Sequence, residues 1–180
     1  MKNLILVTFA ALAFASCSKK VTELPAPTDT GANTFGASIN GTLWAPQGYG
    51  IMSTAPILEA SFAGNNSYII HARNFSKEPK ETEFEIYLKN ITAPGRYTIN
   101  ANTNIEANDR SGSYIYYVER EVNPLHEYIT SSTTPGTVTI TKLDIPNHIL
   151  SGTFSFTGKA IMGGGDPIAV TDGRFDVKIQ

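Results

Sequence analysis

From Phe35 to the C-terminus, apolar and polar residues alternate in short runs broken by turn-forming dipeptides, and a period of two specifies strands rather than helices. FGASI-NG-TLWAP carries Asn40-Gly41 between two such runs, the strongest local signal for a two-residue hairpin. That turn predicts Ile39 opposite Thr42 and Ala37 opposite Trp44. Phe35 then lies diagonal to Trp44 on the same face, within reach of its indole. Trp44 is expected in the core rather than as a ligand platform. Residues 57–63 and 68–75 read as two further strands around Gly64-Asn65-Asn66. Along 83–91, Phe84, Ile86 and Leu88 face one way and Glu83, Glu85, Tyr87 and Lys89 the other, which predicts one core face and one wet face. Pro94-Gly95 leads into a strand at 96–100, an Asn-rich loop follows at 100–109, and 114–120 and 126–131 are further strands.

The C-terminal third repeats the pattern. GTVTITKLD and ILSGTFSFTGKAI flank Pro146-Asn147-His148, and a three-residue loop there sets Ile140 opposite Phe154 and Val138 opposite Phe156. Asp172-Gly173 predicts a last hairpin, with Val170 opposite Phe175, Ile168 opposite Val177, and Arg174, Asp176 and Lys178 on its polar face. Gly163-Gly164-Gly165-Asp166-Pro167 is expected as a mobile loop. About ten strands joined by short connections predict an all-β fold, an antiparallel β-sandwich, with a lipocalin-like closed barrel as the alternative. The chain has one cysteine, so stability must come from packing rather than an internal disulfide.

Ahead of this domain, MKNLILVTFAALAFASC has a basic Lys2, an apolar run and small residues before Cys17, the layout of a secretory signal too short to span a membrane. With a Cys at the cleavage point it resembles a bacterial lipoprotein signal. The expected organisation is a cleaved peptide at 1–16, a lipidated Cys17 with a flexible tether over 17–34, and one domain over 35–180. The tether is poor in apolar residues and contains Pro25, Pro27 and Gly31. Fully stretched, it would reach roughly 55–60 Å. A formal charge of −2 and the lack of any basic block argue against nucleic acid as a partner.

Two stretches together carry a family likeness: F-x-A-x-I-N-G-x-x-W at 35–44, and G-T-V-T-I-T…S-G-T-F-S-F-T…V-T-D-G-R-F-D-V within 136–177. The chain resembles a group of uncharacterised lipoproteins common in Bacteroidetes-type bacteria, a domain of unknown function. The resemblance covers 35–180 and rests on turn and core positions, so it implies fold and envelope localisation and no activity. Surface-exported lipoproteins of such bacteria tend to have acidic residues right after the lipidated Cys. Ser18, Lys19 and Lys20 here point instead to the periplasmic side of the outer membrane, with the cell surface as the alternative.

No reading of the residues yields a catalytic constellation. Ser38 lies in a near-miss of the G-x-S-x-G elbow, inside a hairpin strand, and is expected as a surface hydroxyl. Cys17 is no nucleophile once acylated. His71, His126 and His148 lack metal-ligand spacing, so neither a metal nor a cofactor is expected. Asn100, Asn102, Asn104, Glu106, Asn108 and Asp109 offer oxygens for calcium but too few carboxylates, and turn chemistry is the expected use. Glu81, Glu83 and Glu85 share one face and read as a solvated edge. Glycine-rich 163–165 is followed by no helix that could hold phosphate. The one feature suited to binding is aromatic: Tyr114, Tyr116 and Tyr117 populate both faces of one strand, so some should point outward, unless loop 101–112 or a neighbouring segment covers them. The expected function is a non-catalytic binding or accessory module for a protein or glycan, tethered to the membrane through Cys17. A small apolar ligand carrier, and after it an envelope hydrolase, are the alternatives.

Overall fold

The computed structural model describes residues 20–48, 55–76, 81–120, 125–162 and 164–180. Cys17 and the signal-like run lie outside the described residues, as does Gly163. Among the described residues the chain is all-β, with eleven strands and no helix. β1 (Thr34–Ile39) and β2 (Thr42–Trp44) form the first hairpin. β3 (Leu58–Phe62), β4 (Tyr68–Asn74) and β5 (Glu81–Leu88) follow as an antiparallel meander. Next come β6 (Gly95–Ile99), β7 (Tyr114–Arg120) and β8 (His126–Ile129), then β9 (Gly136–Asp144), β10 (Ile149–Met162) and β11 (Ile168–Lys178).

The strands run in the order β2-β1-β11-β10-β8-β7-β5-β4-β3, with β9 and then β6 branching from β10. The branch is possible because β10 is 14 residues long. Its first half pairs with β9 and its second half with β8, while its other edge runs along β11. Two limbs of one antiparallel sheet therefore curl around a shared interior. The outer edge of β3 meets the residues that follow β11: Gln180 donates to the Ala60 carbonyl at 2.8 Å, and Phe62 donates to that of Gln180 at 3.4 Å.

The first hairpin has the register its turn dictates, Ala37 opposite Trp44 and Ile39 opposite Thr42. Asn40 and Gly41 both take positive φ, 49° and 79°, as a type I′ turn requires. The Phe35 and Trp44 rings meet edge-on at 5.8 Å. Phe84 sits at the centre of the interior, its ring 4.8 Å from Trp44, 4.7 Å from Tyr117, 5.6 Å from Phe35 and 5.8 Å from Phe154. The buried Trp44 indole N–H is satisfied by Thr82 Oγ1 at 2.7 Å.

Two expected registers are corrected. The β9–β10 turn is four residues, with Asp144 opposite Ile149, and an extra residue between Ile140 and Lys142 shifts β9 again, so Val138 faces Phe154 and not Phe156. The Asp144 side chain accepts from the Asn147 amide at 3.1 Å, and His148 takes φ 56°, which together close the longer turn. The total slip is two residues, which leaves every side chain on its expected face. The second correction is larger. Asp172-Gly173 makes no hairpin, because β11 runs straight through it. Asp172 does adopt the left-handed φ, 52°, that the dipeptide favours. With β1 on one side and β10 on the other, that conformation is absorbed as a β-bulge in both registers.

Gly173 is required at the bulge because a Cβ there would lie 2.5 Å from the Phe154 carbonyl oxygen. Gly173→Ala must push two paired strands apart. We expect it to cost about 2–3 kcal/mol, read as a lower urea midpoint at unchanged m-value.

Candidate functional site

The sequence places Tyr114, Tyr116 and Tyr117 on opposite faces of β7, and so does the structure, but none of the three is open to solvent. Their exposures are 1%, 7% and 3%. Tyr117 points inward against Phe84. Tyr114 and Tyr116 point outward into a second apolar cluster with Ile69, Tyr87, Val118 and Ile129, against which Ile105 and Leu125 pack. Loop residue Ile105 thus helps cover the outer face, and Tyr87, expected on a wet face, is buried with the rest. The tyrosine hydroxyls serve as donors: Tyr114 to Glu85, Tyr117 to Glu119. Burial first, then the neighbouring carboxylates Glu85, Glu127 and Glu119 respectively, push Tyr114, Tyr116 and Tyr117 well above the ordinary phenol range. An exposed aromatic platform is ruled out for this strand.

Beside that cluster, the outer face of β3, β4, β5 and β7 holds an ionic lattice centred on Glu83. Pairing puts Arg73 opposite Glu83 on β4 and β5, and the carboxylate receives Arg73 Nε at 3.1 Å, Arg120 Nη2 at 3.0 Å and His71 Nδ1 at 3.1 Å. Arg73 also reaches Glu59 at 2.8 Å, and Arg120 reaches Glu81 at 3.3 Å. Burial opposes the charge on Glu83, but hydrogen bonds from His71 and Arg120 and the charge of Arg73 outweigh it and hold the carboxyl down to about 2. A carboxylate so acidic is a poor general base. Two guanidiniums on it also leave no place for a cation between His71, Glu83 and Glu85. The expected solvated edge is therefore a structural lattice.

A second constellation lies at the other limb. Asp176 is buried at 1% exposure. The segment expected as free tether wraps over it. Thr28 Oγ1 donates at 2.6 Å, the amides of Thr30, Gly31 and Ala32 at 3.0, 2.7 and 3.1 Å, and Ser151 Oγ at 2.7 Å. Burial disfavours the charge, yet the bonds from Thr28, Ser151 and the backbone amides hold Asp176 far below the carboxylate range. Pro25 accepts a bond from Arg174 Nη1 at 3.2 Å. Residues 24–33 are thus a strap on β11 and β1 rather than free spacer. Asp176, expected on the polar face of an alternating strand, is instead roofed by a Thr/Gly-rich segment able to donate to it.

The remaining candidates stay apart. His126 lies 3.5 Å from Glu119, and His148 sits exposed in its turn. Ser38, expected at the surface, is buried at 6% between β2 and β11. In the Asn-rich loop, Asn102, Asn104, Asn108 and Asp109 give side-chain oxygens to protein donors, the amides of Ser132, Ala107 and Ser111 and the Arg110 guanidinium. Among the described residues no three His, Cys, Asp or Glu side chains gather as a metal site, and no helix is long and apolar enough to cross a membrane.

Compared with known proteins, residues 33–177 match a family model described as Domain of unknown function (DUF6252). The match begins within the strap and ends at Val177, beside Asp176. No curated protein and no solved structure matches the chain.

Proposed function

The chain belongs to the DUF6252 family, and from that premise we propose that it is a lipid-anchored envelope protein of the Bacteroidetes-type lipoprotein group. Its β-domain acts as a non-catalytic binding or accessory module for a protein or glycan partner. Cys17 carries the acyl chains, and Ser18-Lys19-Lys20 direct the protein to the periplasmic face of the outer membrane. The observation that carries this reading is the strap. Leu24 is already half-buried against the domain, so the chain back to Cys17 spans at most about 25 Å, less than half the reach of a free tether. An anchored domain of this build is held close to the membrane surface in a restricted orientation, which suits an accessory module that meets its partner there.

Cys17→Ser tests the anchor. Several acyl chains, at about 0.8 kcal/mol per buried CH₂, hold a protein to a membrane essentially permanently. The Ser variant is expected in the soluble envelope fraction with unchanged circular dichroism. If it partitions into detergent like the parent, the anchor is elsewhere and the reading falls.

A further inference from the structure

We propose that the outer face of β6, β9, β10 and β11 binds an acidic sugar, a carboxylate-bearing saccharide. This deepens the binding-module reading and rests on it. Two adjacent rows cross these strands. In the first, Arg96 stands opposite Thr139, Thr139 opposite Thr153, and Thr153 opposite Arg174. In the second, Thr98 stands opposite Thr137, and Thr137 opposite Ser155. The inward partners of these positions, Val138, Ile140, Phe154 and Phe175, are core, so the rows face out. At about 4.8 Å per strand the two arginine positions lie about 14–15 Å apart across a hydroxyl floor. A shallow trough of about 420 Å³ runs between them, with Pro27 of the strap and Asp172 of the bulge at its rim.

Neither charge has an ion-pair partner among the described residues, and that of Arg174 is held in place. Arg174 donates Nη1 to the Pro25 carbonyl and Nε to the Asp172 carbonyl, both at 3.2 Å. Its guanidinium is held by neutral oxygens, with N–H donors left over. Among the described residues no carboxylate oxygen lies within 4.0 Å of either the Arg96 or the Arg174 guanidinium. This contrasts with Arg73 and Arg120 on the opposite limb, each of which ends on two carboxylates. The hydroxyls of Thr137, Thr139, Thr153 and Ser155 likewise have no partner among the described residues. Guanidinium forks select carboxylates, and a floor of hydroxyls with one acid at the rim can both donate to and accept from sugar hydroxyls. The Glu-lined face of the other limb would repel the same ligand.

The test is calorimetric titration of the full-length chain with tetragalacturonate and with neutral maltotetraose. Tetragalacturonate is expected to bind and maltotetraose not. Arg96→Ala, and separately Thr139→Val with Thr153→Val, which keep β-branched residues in the strands, are each expected to weaken binding by about tenfold or more. Lys89→Ala removes an equal charge outside the trough and is expected to change affinity less than about twofold. Equal binding of both sugars, or equal loss in Arg96→Ala and Lys89→Ala, overturns the assignment while leaving a binding module in place. No binding of tetragalacturonate overturns it as well. If the chain instead sediments with phosphatidylglycerol vesicles through Arg96, the face belongs to a lipid surface. The anchor, tested by Cys17→Ser, stands or falls separately.

Discussion

Asp176→Ala lowers the stability of the domain by about 3–5 kcal/mol, because it leaves a ring of buried donors without their acceptor. Thr28, Thr30, Gly31, Ala32 and Ser151 all direct hydrogens at this one carboxylate. Water cannot replace it without entering beneath the strap. The second signature is in pH. A carboxyl whose native pKa lies below its unfolded value contributes stability that is fully present above the unfolded pKa, about 3.9, and is lost as pH falls toward the native one. The parent should therefore be stable down to about pH 5 and weaken steeply below. Glu83, held at about 2, adds to the fall in the same direction. The gap between parent and Asp176→Ala should close as pH drops from about 5 to about 2. Urea denaturation at a series of pH values measures both effects. A gap that stays constant over that range would mean the loss is one of packing, not of charge.

Phe84→Ala is expected to cost about 3–5 kcal/mol as well, for a different reason. Phe84 is fully buried and touches rings from β1, β2, β7 and β10, so its side chain ties the two limbs together. Removing it opens a cavity that stiff neighbouring rings on four strands cannot collapse into. Trp44 is the only tryptophan and loses its closest ring contact. Its near-ultraviolet dichroism should fall even where the strands survive. Phe84→Leu, which keeps most of the volume, should cost under about 1.5 kcal/mol. Equal losses for Ala and Leu would show that ring geometry, rather than filled volume, is what the site needs.

What could be read from the chain alone followed from local rules. Asn40-Gly41 lies between two strands with no competing neighbour, so its backbone preference became the turn it encodes. Asp172-Gly173 encodes a closely similar preference, yet β1 and β10 hold β11 from both sides and turn it into a bulge. No window around residue 172 contains β1, which arrives from positions 34–39. The same distance hid the strap: Asp176 reads as one more polar residue in an alternating strand until residues 28–32 fold across it. Period two placed Tyr114, Tyr116 and Tyr117 on opposite faces correctly. It could not say that Ile105 and Leu125 would help to cover the outer one. The Glu83 lattice was half visible, since three glutamates on one face were plain, but Arg73 and Arg120 come from two other strands. The Arg96–Arg174 trough went unread because its members are ordinary outward residues on four strands.

The long strand β10 has a consequence for how such a chain is made. Both limbs are built on it, and the strap and β1 both wait for β11, whose partners lie some 145 residues earlier in the chain. Synthesis runs from the N-terminus, so nearly the whole polypeptide must emerge before any of these pairings can form. A nascent chain of this topology has no complete sheet to lock until its last strand is available. Its long-range pairings wait for β11, so the sheet closes late in synthesis.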